Sequence, residues 1–296
     1  MTAPIVLFTY NRPQHLQTLV ESLLQNDLAK QSPLFVFSDG CKTACDEEKV
    51  AEVRAYLHTL SGFQSVTIVE SPENKGLAKS VIHGVTQVLK QYDRVIVLED
   101  DLILSPYFLR FMNEALETYK DEERVGNVNG HMPALKHVNC ETFFIHHADS
   151  WGWGTWKRAW QLFEPDGQKL LEQLEARNLC KQFDFDGAYP FVRMLRRQIA
   201  GQNNSWAIRW RASLQLNDKL CLNPGKSLVL NNGADGSGTH VPKGVLFPDA
   251  PLADKPIIIS PDAPVETMQA REAYKRYYRW NNSKVHKAIV KLQNLL

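Results

Sequence analysis

The chain has 296 residues, and its 34 Lys and Arg against 33 Asp and Glu leave a formal net charge of +1. That balance excludes a nucleic-acid binder held by a basic face, which needs a clear cationic excess. Hydrophobic residues make up 44% and charged residues 23%, proportions of a globular protein with a sizeable core; no apolar window is long enough to cross a bilayer.

The first hundred residues alternate strand and helix patterns. Pro4–Tyr10 is an apolar run, and Pro13 suits the first position of a helix carrying Leu16, Leu19, Val20, Leu23 and Leu24 at helical spacing. Leu34–Phe37 reads as a second strand ending in Ser38-Asp39-Gly40, followed by a helix with Val50, Val53, Leu57 and Leu60 on one stripe. Val66–Val69 is a third strand. After Asn74-Lys75-Gly76 comes a helix marked by Leu77, Val81, Ile82, Val85, Val88 and Leu89, then a fourth strand at Val95–Leu98. Strands separated by helices pair in parallel through right-handed crossovers, and ligands then bind beyond the carboxyl ends of the strands. Polar residues at four such ends are therefore expected to converge on one edge.

At the fourth end stand Glu99, Asp100 and Asp101. Three adjacent carboxylates repel one another unless a positive charge sits among them. Mg²⁺ and Mn²⁺ prefer hard oxygen ligands and typically accept one or two carboxylates together with phosphate oxygens and water. The plainer alternative is a solvated turn that complements the N-terminus of the helix starting near Ser105-Pro106.

The second half predicts a helix from Pro106 to about Lys120, strands at Val125–Asn129 and Thr142–His146, helices over Gly167–Arg177, Tyr189–Gly201 and Ser205–Leu216, and a strand at Ser227–Leu230. Trp151, Trp153 and Trp156 are spaced by glycines, which favours a loop over a helix. Asn231–His240 is too glycine-rich for regular structure, and Pro242–Pro264 reads as an extended strap. The domain reading is one unit over 1–264, with a nucleotide-sugar half over 1–120 and an acceptor half over 121–264, and a basic helical extension over 265–296. Arg271, Lys275, Arg276, Arg279, Lys284, Lys287 and Lys291 of that extension, interleaved with Tyr and Trp, could rest on an anionic membrane or pack their rings onto the domain. Five scattered cysteines without zinc spacing, and no basic n-region with a small-residue cleavage site, lead to the expectation of a reduced, cytoplasmic protein, peripheral at the inner face of the membrane if the extension binds lipid.

These features resemble glycosyltransferases of the GT-A fold, especially family 2 and its bacterial sugar transferases. The resemblance is carried by Thr9-Tyr10-Asn11-Arg12-Pro13, Ser38-Asp39-Gly40, Asn74-Lys75-Gly76-Leu77-Ala78 and Glu99-Asp100-Asp101, and it is good over roughly 4–115. The acidic triplet matches the DXD-type metal motif. In its Glu-Asp-Asp form it is similar to that of the Golgi N-acetylglucosaminyltransferases that start complex N-glycans. The resemblance implies an α/β fold, a Rossmann-like mixed sheet flanked by helices with a helical C-terminal elaboration. It also implies a nucleotide-diphospho-sugar donor, with UDP favoured, and Mn²⁺ or Mg²⁺ held by the last acid, Asp101, together with His240.

On that basis Thr9, Tyr10, Asn11, Arg12, Asp39, Lys75, Glu99 and Asp100 are the candidate nucleotide-sugar contacts, with Lys79 as a further phosphate ligand. Arginine binds phosphate bidentately and lysine as a point charge. Trp151 and Trp153 are candidate acceptor-binding residues, because flat aromatic faces suit sugar rings; a buried aromatic cluster is the alternative. An inverting transfer needs a general base near the acceptor hydroxyl. Related enzymes place an acid where this chain reads Ser205-Trp206-Ala207-Ile208-Arg209-Trp210, so Asp149 is taken as the substitute, with Asp184, Asp186, Asp218 and Asp235 as alternatives. The expected activity is metal-dependent hexosyl or N-acetylhexosaminyl transfer to a glycan or lipid-linked glycan, in bacterial surface polysaccharide or lipopolysaccharide assembly, inversion being favoured. The competing readings are a sugar nucleotidyltransferase, whose glycine-rich first loop is missing, and a non-catalytic nucleotide-sugar or glycan-binding protein.

Overall fold

The computed structural model describes residues 2–136, 138–233, 250–261, 263–283 and 286. Its first half follows the expected alternation: β1 (Ile5–Thr9), α1 (Pro13–Leu24), β2 (Pro33–Ser38), α2 (Glu47–Leu57), β3 (Ser65–Glu70), α3 (Leu77–Val88) and β4 (Arg94–Glu99). The next elements are β5 (Leu102–Leu104), α4 (Phe108–Thr118), β6 (Val125–Asn129), β7 (Thr142–Ile145), β8 (Trp153–Trp156), α5 (Lys157–Trp160) and α6 (Gly167–Ala176). The chain then forms α7 (Cys180–Phe183), α8 (Phe191–Ile199), α9 (Trp206–Leu216), β9 (Leu220–Pro224), β10 (Val229–Asn231) and α10 (Met268–Asn282).

The strands β1, β2, β3, β4, β6, β7, β8 and β9 form one mixed sheet in the order β3-β2-β1-β4-β8-β6-β9-β7. β1 to β4 pair in parallel, β8 runs antiparallel between β4 and β6, and β9 is parallel to β6. The carboxyl ends of β1, β2, β3, β4, β6 and β9 therefore share an edge. β5 and β10 make a separate antiparallel pair beyond that edge.

Strand alternation sorts the core onto two faces. Ile5, Leu7, Ile96 and Leu98 join Leu16, Leu19 and Leu23 of α1 and Phe108, Phe111 and Met112 of α4 on one side. Val6, Phe8, Val95 and Val97 join Val81 and Val85 of α3 and Trp206 and Trp210 of α9 on the other. Central strands covered on both faces explain why β1 and β4 read as unbroken apolar runs. A third cluster gathers α6, α8 and α9 around Phe183 and Phe185, and α10 closes it with Ala270 and Tyr274. The helix of the basic C-terminal stretch thus turns aromatic side chains inward. Arg271 pairs with Asp186 and Glu266, and Lys275 pairs with Asp186 and Glu272.

One expectation is corrected, and one strand is not anticipated by the sequence. The Trp-Gly segment is not a loop throughout: Trp153–Trp156 is β8, and Gly154 sits in a tight place, since a Cβ there would lie 3.3 Å from Leu116 and from the Val95 carbonyl oxygen. The strand β9, short and polar at its end, carried no alternation that predicted it.

Candidate functional site

The acidic triplet lies where β4 leaves the sheet, and its three carboxylates do different things. Asp100 is buried. It accepts from the Thr9 hydroxyl at 2.9 Å and the Tyr10 amide at 3.3 Å, and it is paired with the Arg12 guanidinium. The same guanidinium reaches Asp101 at 3.1 Å. Burial alone favours neutral forms of Arg12 and Asp100, but the two acids hold Arg12 charged and push its pKa up. Glu99 is pushed up to about 8, first by burial and then by the charges of Asp101 and Asp100, while Trp206 of α9 donates to it. Pro13 at the start of α1 fixes the turn that aims Arg12 back across the strand ends.

Asp101 is the acid with room beside it. A Cβ on Gly233 would come within 2.6 Å of its Oδ2 and 3.2 Å of the Asn231 side-chain oxygen. The lack of a side chain at 233 therefore leaves open a cradle faced by two hard oxygens. That donor chemistry fits Mg²⁺ or Mn²⁺. The segment is held there by β10 pairing with β5 and by the Asn232 amide, which donates to the Asp101 carbonyl at 2.7 Å. Among the described residues no three His, Cys, Asp or Glu side chains form a complete cage. His240, Asp235 and the basic residues Lys284, Lys287 and Lys291 lie outside the described residues.

The second strand end builds an anchored loop. Asp39 accepts from the amides of Gly40 at 3.0 Å, Lys75 at 2.8 Å and Gly76 at 2.9 Å. Asn74 donates to the Gly40 carbonyl at 2.9 Å. Gly76 has φ +74°, a conformation glycine adopts without strain, and opens α3. Gly40 is required because a Cβ would collide with the Glu73 backbone at 2.5 Å. The carboxylate of Asp39 thereby holds the start of a helix N-terminus, an anion-favouring position. Lys75 lines a small pocket there with Phe37, Asp39, Val69, Ser80 and His83. Tyr10 and Asn11 are tied to the neighbouring loop: the Tyr10 hydroxyl accepts from the Lys42 amide at 2.9 Å, and Asn11 donates to Asp46 at 2.8 Å. Burial raises the Tyr10 phenol to about 12.

On the far side of β4 the site continues through β8 and β6. Asp149 Oδ1 accepts from the amides of Ser150 at 2.7 Å and Trp151 at 3.2 Å, and Oδ2 lies 2.7 Å from His131 Nδ1. Its pKa is lowered: burial would raise it, but the charge and hydrogen bond of His131 outweigh that. Behind this pair His147 bonds Arg211 at 2.8 Å and the Tyr278 hydroxyl at 2.9 Å. Burial, then Arg211, depresses its pKa well below the ordinary value. A ladder of buried amides positions the whole corner: Trp210 donates to Asn127, Asn127 to Asn129, and Asn129 to Asn223, while Asn129 accepts from the Asp149 amide.

Trp151 is half-buried and meets the His131 ring edge-on with centroids 4.5 Å apart. Trp153 corrects the acceptor expectation. Its indole is fully buried and stacked on Trp206 at 5.1 Å, so its faces belong to the core. The alternative bases stand elsewhere. Asp184 accepts from the Val192 amide, Asp186 is engaged by Arg271 and Lys275, and Asp218 precedes β9 at the opposite sheet edge. Sequence reasoning missed His131. Its partner is 18 residues away, and only the pairing of β6 with β8 brings them together.

Several solved structures are similar to part of the chain. The mannosyltransferase PcManGT from Pyrobaculum calidifontis, in complex with GDP-Man and Mn²⁺, has 18% identity over 43% of this chain and 34% of its own, with a TM-score of 0.34. S. aureus TarS 1–349 has 21% identity over 43% of this chain and 34% of its own, with a TM-score of 0.31. TarS 1–349 in complex with UDP-GlcNAc has 18% identity over 43% and 33%, with a TM-score of 0.32. The chain spans about a third of the length of each of these structures. No curated protein matches it. The family model described as Glycosyl transferase family 2 matches residues 5–201, from the first residue of β1 to the end of the helical segment after β8. The chain belongs to glycosyltransferase family 2.

Proposed function

We propose that this glycosyltransferase moves a hexosyl or N-acetylhexosaminyl group from a nucleotide-diphosphate donor, UDP-linked by preference, to a hydroxyl of a glycan or lipid-linked glycan, with inversion and with the help of Mn²⁺ or Mg²⁺. The observation that carries this reading is the joining of the β1 and β4 ends through Arg12, Asp100 and Asp101, beside the loop that Asp39 holds at the start of α3. Asp101, with the Asn231 oxygen beside it, would hold the cation. Bound there, the cation supplies Lewis-acid stabilisation of the charge that develops on a departing diphosphate.

The protein's own residues divide the remaining work. Asp100 fixes Arg12 at the strand ends, where a guanidinium offers paired donors to phosphate oxygens. Lys75 adds a point charge at the opening of α3. The loop that Asp39 holds is the candidate nucleoside contact. Asp149, His131 and Trp151 form the acceptor side, where a hydroxyl must lose its proton. The exposed Arg276, Arg279 and Trp280 of α10 support contact with an anionic membrane surface and a lipid-linked acceptor. Assembly of bacterial surface polysaccharide or lipopolysaccharide, at the cytoplasmic face, is the setting that such a reaction fits.

A thermal-shift screen of UDP, GDP, CDP and their sugars with Mn²⁺ tests the reading, since a ligand that binds only the folded state raises Tm by mass action. A shift confined to one nucleotide class and removed by chelator is expected. No shift with any of them contradicts it.

A further inference from the structure

We propose that His131, not Asp149, takes the proton of the attacking hydroxyl, with Nε2 as the accepting atom and Asp149 as a positioning residue; this rests on the transferase reading above. Asp149 is committed through both oxygens. Oδ1 accepts two backbone amides of the following turn, and Oδ2 faces His131 Nδ1 at 2.7 Å. An ionised carboxylate only accepts hydrogen bonds, so the proton between them sits on Nδ1, and Nε2 carries the basic lone pair. Among the described residues Nε2 has no hydrogen-bond partner.

The ring is held from several directions. Trp151 meets it edge-on. The Gly130 amide donates to the Gly152 carbonyl at 2.7 Å, clamping the end of β6 to the start of β8, and Asn129 fixes the Asp149 backbone. A ring fixed by an acid that itself stays charged is the arrangement of a general base and its orienting partner.

Its position relative to the donor side follows from register. Asn129 and Val97 both pair with Trp153, so two residues further on His131 and Glu99 face the same edge with one strand between them. Two strand spacings put their backbones about 10 Å apart. In the step assigned to His131, the hydroxyl proton passes to Nε2 as the acceptor oxygen bonds to the anomeric carbon. The bond from that carbon to the diphosphate oxygen breaks, its electron pair leaves with the nucleoside diphosphate, and the imidazolium returns its proton to solvent. The titratable and charged groups facing the ring are Asp149 and, behind it, His147 with Arg211 of α9 and Tyr278 of α10.

The test uses the full chain with Mn²⁺ and UDP-glucose, UDP-galactose, UDP-N-acetylglucosamine and GDP-mannose, with water as acceptor, reading nucleotide release from about pH 5.5 to 9. Release by the wild type is expected to rise with pH along a limb governed by one imidazole. His131→Gln should lower kcat about 10²- to 10⁴-fold, leave KM and Mn²⁺-dependent UDP or GDP binding in place, and remove that limb. Asp149→Asn should lower kcat and move the limb to lower pH. Wild-type kcat and profile in His131→Gln, with the loss confined to Asp149→Asn, would overturn the assignment and leave the transferase reading intact. No release by the wild type from any donor overturns both. Should His131→Gln fail to fold, the imidazole ¹⁵N shifts of wild-type His131 decide: protonated Nδ1 with bare Nε2 is expected, and the reverse tautomer contradicts the proposal.

Discussion

The Thr9 hydroxyl donates to Asp100 across 2.9 Å, tying the last residue of β1 to the first residue beyond β4. Through that bond and the Arg12 pair, an acidic corner that would repel itself becomes a rigid floor, and Asp101 is the acid that faces the cradle at Gly233. Each part of this division of labour has a measurable consequence.

Arg12→Ala should be strongly destabilising, because Asp100 keeps only 4% side-chain exposure and would be left without its cation. Removing one partner of a buried pair costs about 3–5 kcal/mol. Urea unfolding of the variant measures this, and Arg12→Lys should recover part of the loss, since lysine supplies the charge without the fork.

Asp39→Asn should loosen the entry to α3. The amide side chain has one accepting oxygen in place of two, so at least one of the Gly40, Lys75 and Gly76 amides loses its partner. The expected cost is about 2 kcal/mol, with faster amide exchange at Lys75 and Gly76 and weaker nucleotide binding. Unchanged exchange at those two amides contradicts the anchoring role.

The two tryptophans should separate. Trp153→Ala removes a fully buried indole stacked on Trp206 and should cost about 3–5 kcal/mol. Trp151→Ala, half-buried beside His131, should leave stability closer to wild type and raise the KM for acceptor. Equal stability losses in the two variants contradict the distinction.

Acidification should destabilise the protein through His147. In the unfolded chain this imidazole gains a proton near its ordinary pKa of about 6.5. In the folded chain burial and Arg211 hold it neutral to well below that value. The unfolded state therefore binds more protons below that pH, and stability falls as pH drops, by up to about 1.4 kcal/mol per pH unit. Chemical denaturation at a series of pH values checks the slope, and His147→Gln should flatten it.

The first half of the chain was legible in the sequence because its signals are local. β1 and β4 are apolar runs, Pro13 marks a helix start, and the polar residues between strand and helix fall at ends that topology alone gathers on one edge. The second half depends on distant pairing. Trp153 reads as a platform residue until β8 is seen to insert antiparallel between β4 and β6, which buries its indole. Asp149 was legible as a polar residue near a strand end. The meaning of His131 was not, because its environment is made by residues that pairing brings in from other strands. Asp100 and Asp101 carry the same side chain, and the contacts to Thr9 and Tyr10 distinguish the acid that braces the corner from the one that faces the cradle at Gly233.

The most direct measurement is nucleotide release from a panel of nucleotide sugars by the wild type and by Asp101→Ala, each with Mn²⁺ and with chelator. The account predicts turnover by the wild type that chelator removes, and a loss of at least about 100-fold in Asp101→Ala while its fold stays intact. Equal turnover by both proteins, or turnover indifferent to chelator, would contradict it.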